Sequence, residues 1–211
     1  PDPRPTGDRP GTDSGRIRTV RSEPERRATA LEWHHRRMRD LGDLIREYDR
    51  ALVFTDALVA DLTPDEVCWR PNDDSSAIGW HLGHQAAVAH FMIRNLTAAE
   101  PSPDPGLEAV MDSATPERQR GELPPLERIV AYRAAVAERV RVRIAAIADG
   151  EVGAPAQLAI VGANVLRAIV DHEYQHDQWI GEVRSRDLGR ALPDRPSSPA
   201  LVEVDGYLML R

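Results

Sequence analysis

The sequence predicts an all-α fold: a four-helix bundle running up-down-down-up, with a long crossover between its second and third helices. Three observations predict it. Four stretches carry apolar residues at the 3.6-residue spacing of an amphipathic helix. One Pro-rich interval, residues 98 to 125, separates the second stretch from the third, whereas the other links are short. A helix of about 22 residues spans roughly 33 Å, and a link of that length, extended, reaches about 90 Å. The link is therefore long enough to cross the bundle, so the helices flanking it can run parallel while the short links impose antiparallel neighbours.

Residues 1–22 mix Pro, Gly, Asp and Arg with almost no apolar content and predict a disordered N-terminal arm. Residues 23–190 predict the bundle, and residues 191–211 an extended C-terminal tail. The pattern turns helical at Glu23 and strengthens from Leu41 to Leu62, where Leu41, Leu44, Ile45, Tyr48, Leu52, Thr55, Leu58 and Val59 fall on one face. Thr63-Pro64 ends that run, and Cys68 to Asp74 reads as a loop. Ser75 and Ser76 are the expected N-cap of a second helix reaching about Thr97. The third runs from Leu126 to Ala148, closed by Asp149-Gly150. The fourth runs from about Leu158 to Leu188, with Gly189 as its C-cap. In the tail, residues 201–208 would form a short strand if given a partner.

Composition narrows the function. A net charge of −7 argues against a nucleic-acid binder. All 27 basic residues are arginine, which removes lysine Schiff-base and lysine general-base chemistry. The single cysteine excludes an internal disulfide and suits a reducing compartment; set between Val67 and Trp69, Cys68 reads as an inert packed thiol. No apolar run approaches a membrane span and the opening does not read as a signal peptide, so a cytoplasmic protein is expected.

The chemistry concentrates in histidines. His172 and His176 are four residues apart, about one helical turn, and leave the same face of the fourth helix. The apolar stripe Leu158, Val161, Val165, Ile169, Ile180, Val183 is expected on that face, and two imidazoles in a core stripe are costly unless something pairs with them. On the second helix Ala77, His81, His84, Val88 and Phe91 form another stripe. Convergence of His84, His172 and His176 would make a tri-histidine metal site with open positions, the arrangement of a catalytic rather than a structural metal. His81 is a candidate catalytic or ligand-orienting residue beside it, with a fourth ligand or a solvent partner at the cavity mouth as the other readings. Glu173 and Asp177 read as ring-orienting neighbours or solvated residues, with Glu173 also a candidate catalytic group, and Tyr174 as packing. His90 and the adjacent His34 and His35 read as surface residues. Arg94 and Arg167 could meet a substrate carboxylate or remain ordinary surface charge.

His172-Glu173-Tyr174-Gln175-His176 also satisfies the HExxH pattern of zinc peptidases, in which the Glu is the general base. Such enzymes need a further ligand downstream and an edge strand for the peptide. No histidine follows His176 and no strand precedes the motif, so the peptidase is the third reading.

The two motifs together carry a resemblance. Ser75 to His84, ending Trp80-His81-Leu82-Gly83-His84, combined with His172-Glu173-Tyr174-Gln175-His176-Asp177, resembles the DinB-like superfamily, and within it the N-terminal domain of ergothioneine-type sulfoxide synthases. That resemblance implies a non-haem iron held by three histidines, which fall on His84, His172 and His176. The synthases carry a second, catalytic domain that has no counterpart in this sequence. The resemblance therefore implies either a free-standing relative or one half of a split enzyme. Free-standing relatives include thiol S-transferases and isomerases that use low-molecular-weight thiols with a divalent metal, which widens the expected ion from Fe(II) to Zn or Ni. The leading expectation is thus a metal-dependent small-molecule enzyme performing thiol transfer or carbon–sulfur chemistry. A non-catalytic metal- or partner-binding bundle is second. A homodimer paired through helix faces is a further expectation.

Overall fold

The computed structural model describes residues 23–96 and 100–211, with side chains from residue 41 onward. The arm expected over residues 1–22 and the side chains of His34 and His35 lie outside that description. The described chain is mostly helical: α1 (Glu23–Val59), α2 (Pro64–Cys68), α3 (Ile78–Arg94), α4 (Pro105–Val110), α5 (Leu126–Ala148) and α6 (Pro155–Glu182), followed by β1 (Leu201–Val204) and β2 (Tyr207–Leu210). Among the described residues no helix is long and apolar enough to cross a membrane.

In α1 the buried residues Leu41, Leu44, Tyr48, Ala51, Thr55 and Leu58 recur every three or four positions, so one stripe faces inward. Thr63 then does more than end the run. Its hydroxyl accepts from the Glu66 amide while the Glu66 carboxylate accepts from the Thr63 amide, a capping box that starts α2 with Pro64 in its first turn.

The expected N-cap of α3 is corrected: Ala77 occupies that position and no side chain caps the helix. Ser75 instead donates to Oδ1 of Asn72, and the Ser76 oxygen accepts from Arg120. α3 packs against both α5 and α6 and is buried on nearly every side from Ile78 to Ala87. Two glycines allow that closeness. A Cβ on Gly79 would stand 2.4 Å from Leu123 Cδ2, and one on Gly83 would stand 2.5 Å from Met111 Sδ.

The long Pro-rich crossover expected over residues 98–125 holds α4 and a 3-10 turn, Glu117–Gln119. Its prolines mislead because Pro105 sits in the first turn of α4, where proline is tolerated. Asp104 caps that helix by accepting from the Leu107 amide at 2.9 Å and also takes the Arg128 guanidinium, which ties α4 to α5. Leu107 and Met111 are fully enclosed.

α5 ends at Asp149 with Gly150 at φ 75°, as the Asp-Gly pair predicts. α6 starts three residues earlier than expected, at Pro155. It ends at Glu182 and widens into a π turn, Val183–Asp187, before Gly189 at φ 65°. Its inward face is also shifted. Ala159, Gly162, Leu166, Ile169, Glu173, Asp177 and Ile180 are buried, whereas Val161 is 48% exposed. The small residues Ala159, Gly162 and Ala163 face inward where Val161 was expected, while Val165 is half-buried against the core.

α1 packs on α6 and α5, and α3 on α5 and α6, so the four long helices share one core. The tail needs no outside partner. β1 and β2 pair antiparallel, Leu201 opposite Leu210, around Asp205-Gly206, both at positive φ as a tight hairpin turn requires. The hairpin lies on α6, where the Leu210 amide donates to Asp171 at 2.7 Å.

Candidate metal centre

His81 and His84 lie in the first two turns of α3, and His172 and His176 one turn apart on α6. Because α3 packs on α6, the two sets meet. One ligand-capable atom from each of His84, His172 and His176 lies within 4.8 Å of the others. Their ring centroids are 5.3 Å apart for His84–His172, 5.0 Å for His84–His176 and 4.4 Å for His172–His176. His84 and His176 are buried and His172 is half-buried at the rim.

Two contacts orient the rings. Nδ1 of His84 is 2.7 Å from the Met111 carbonyl oxygen. A carbonyl only accepts, so Nδ1 carries the hydrogen and Nε2 the lone pair. Nδ1 of His81 is 2.8 Å from Nδ1 of His176, so one of these nitrogens donates to the other. Burial, reinforced by neighbouring imidazoles, pushes His81 down to about 3 and His172 to about 4, and holds His176 well below the ordinary histidine range. The rings are therefore neutral near pH 7, the form that binds a metal.

Tryptophans wall the cluster. Trp80 stacks on His84 with centroids 4.4 Å apart and planes 12° from parallel, and the Arg120 guanidinium carbon lies 3.7 Å from the Trp80 ring. Trp179 stands edge-on to His176 at 4.8 Å. Trp80 belongs to the motif that ends in His84, whereas Trp179 was missed, although it lies three residues after His176, within one turn. Met111 left no such signal, because a backbone carbonyl acts irrespective of side chain.

Glu173 and Asp177 belong to a different constellation, which corrects their reading as solvated. Both are 2% exposed. Glu173 accepts from Arg133 at 2.7 Å and lies 3.0 Å from the Thr55 hydroxyl. Asp177 lies 2.8 Å from that hydroxyl and accepts from Gln85 at 3.1 Å. Thr55 has one hydrogen and three acceptors in reach, the third being Ala51 O at 3.1 Å. A protonated Asp177 would donate to Thr55, which leaves the single Thr55 hydrogen to be shared between Ala51 O and Glu173. Burial, then the Glu173 charge, push Asp177 upward, in the direction that requires. Glu173 as a free peptidase base is not what this geometry offers, since an ion pair with Arg133 occupies it. Arg133 could have been noticed in the sequence as a charge on the buried stripe Ile129, Val136, Val140 of α5.

His90 is corrected from surface to fully enclosed, between Arg139 and Glu108. Tyr174 is buried packing beside Phe54. Phe91, expected on the core stripe, is 58% exposed. Arg167 donates to the Arg211 carbonyl, whereas Arg94 lines a cavity that also reaches His84. Cys68, expected to be packed, is exposed, because α2 ends there and the chain turns outward.

Residues 47–180 match the family described as the DinB superfamily. No curated protein matches the chain.

Proposed function

The chain belongs to the DinB superfamily, and from that footing we propose that His84, His172 and His176 hold one divalent metal ion and that the protein is a metal-dependent enzyme acting on a small molecule by thiol transfer or related carbon–sulfur chemistry. The observation that carries this reading is the convergence of three neutral imidazoles from two helices within 4.8 Å. The donor set fits the group: three nitrogens with no thiolate or carboxylate among them suit Fe(II), Zn or Ni. Likeness to sulfoxide synthases favours Fe(II), whereas free-standing relatives favour Zn or Ni.

Bound there, a divalent ion supplies the positive charge that lowers the pKa of a thiol or water. The chain's own residues do the rest. Met111 holds His84 with Nε2 toward its neighbours, and His81 positions His176 through their shared hydrogen. Trp80 and Trp179 exclude water from two sides, which strengthens every charge interaction inside. Arg133 and Thr55 hold Glu173, so the turn of α6 carrying both histidines is anchored from α5 and α1.

The same reading takes the four long helices as up-down-down-up. It is supported by pairs that advance together, Thr55 with Asp177 and then Leu58 with Arg184, and by pairs that run oppositely, His81 with His176 and Gln85 with Glu173.

The test is to strip the protein with a chelator, reload it with Fe(II), Zn, Ni or Co(II), and assay low-molecular-weight thiols against electrophilic acceptors. Turnover in a reloaded form, absent after stripping and lost in His84→Ala, is the expected result. Chelator-insensitive turnover, or chelator-sensitive hydrolysis of casein instead, would overturn it.

A further inference from the structure

Beside His84 opens a cavity of about 760 Å³. Its floor is one face of α3: His84, Ala87, Val88, Phe91 and Arg94 follow each other at helical spacing, with small or modest side chains between the histidine and the arginine. Its other wall runs from Pro105 to Ser113. At one end the lining includes His84, one of the three candidate ligands. At the other the Arg94 guanidinium lies 5.2 Å from the exposed Phe91 ring. The nearest carboxylate to Arg94 among the described ion pairs, Glu108, is 3.9 Å away and also faces Nδ1 of His90 at 3.4 Å. Arg94 therefore has a guanidinium edge to offer a ligand. The negative charge at the His84 end is Asp112, which follows the residue that holds His84 and lines the same cavity.

We infer that this groove is the substrate channel of the histidine centre, entered beside His84, and that it selects a molecule with an anionic group, a carboxylate for example, held well away from the end that reaches His84. The inference rests on the metal-centre reading above and adds to it the substrate class. Ten residues separate His84 from Arg94, about 15 Å along the helix axis, so a ligand that spans them must be extended. A short acid would leave its charge beside Asp112, where it is repelled. A longer one carries its charge past Asp112 to Arg94, where a bidentate pair can form. Ala87 and Val88 leave room for an extended chain between the two ends.

The experiment uses the full chain loaded with Co(II), and follows the thiolate-to-cobalt absorption band. Mercaptoacetate, mercaptohexanoate and mercaptooctanoate are titrated beside the uncharged mercaptoalkanols of equal length. The long acids are expected to bind about tenfold more tightly than their alcohols, and mercaptoacetate no more tightly than mercaptoethanol. Arg94→Gln should abolish the long-acid preference and leave the alcohols unchanged. Val88→Trp, which fills the floor, should weaken both long probes and spare mercaptoethanol. If thiols bind the cobalt but acids and alcohols bind equally at every length, or Arg94→Gln keeps the preference, the channel is overturned while the histidine centre stands. If the protein holds no Co(II), the centre fails and the channel with it.

Discussion

The Met111 carbonyl and Nδ1 of His84 are 2.7 Å apart, and the same Met111 fills the space that Gly83 leaves open. One residue of the crossover thus sets both the tautomer of a candidate ligand and the packing of the turn that carries it. Gly83→Val should push Met111 away and release the His84 ring. Orienting partners of this kind are worth about ten- to a hundredfold in metal affinity. Calorimetric titration with Zn should show a loss of that size while circular dichroism shows the helix content kept. Unchanged affinity would mean that the carbonyl does not orient the ring.

Arg133 and Glu173 form an ion pair buried at 7% and 2% side-chain exposure. Removing one partner strands the other in the core, which costs about 3–5 kcal/mol. Arg133→Met should lower stability in urea by that order, and Arg133→Met with Glu173→Leu should recover much of it. Glu173→Gln should leave metal affinity within a few-fold of wild type, because the carboxylate is committed to Arg133 and Thr55. A collapse of metal binding in folded Glu173→Gln would instead place the carboxylate in the centre.

His90 predicts a pH dependence. Its Nε2 is 3.2 Å from Arg139, which only donates, so Nε2 accepts and Nδ1 carries the hydrogen toward Glu108. Burial, with help from Arg139 and Arg94 against the opposing pull of Glu108, lowers its pKa. Because the folded value lies below the unfolded value of about 6.5, the unfolded chain takes up a proton that the native ring resists. His90 therefore supports the fold fully above about pH 6.5 and progressively less as pH falls below it. His90→Gln should flatten part of the decline in urea midpoint between pH 7.5 and 5. A decline of identical slope in the variant would contradict this.

Cys68 is exposed at the end of α2. It should react promptly and stoichiometrically with a disulfide reagent under native conditions, and its modification should leave metal binding unchanged. Reaction only after denaturation would restore the packed thiol expected from Val67 and Trp69.

Much of this was legible in the sequence, for identifiable reasons. The stripe on α1 and the Asp149-Gly150 stop are local patterns, and local patterns survive folding. The three histidines could be named because one turn separates His172 from His176 and because a motif linked them to His84. What escaped depends on contacts far apart in the chain. Ala77 starts α3 uncapped because Ser76 is held by Arg120, 44 residues away. The inward face of α6 carries Gly162 and Ala163, small residues whose burial a hydrophobic stripe does not reveal. Glu173 and Asp177 look solvated until Arg133, Gln85 and Thr55 arrive from three other helices. His90 looked exposed because its partners, Glu108 and Arg139, lie in α4 and α5.

The central claim is that His84, His172 and His176 bind one ion together. The most direct measurement is metal stoichiometry and affinity on chelator-stripped protein, for wild type and for each single histidine-to-alanine variant. One equivalent per chain is predicted for wild type, with binding lost in His84→Ala, His172→Ala and His176→Ala, and weakened but retained in His81→Ala. Wild-type protein that takes up no divalent metal, or His84→Ala that binds a full equivalent with unchanged affinity, would contradict it.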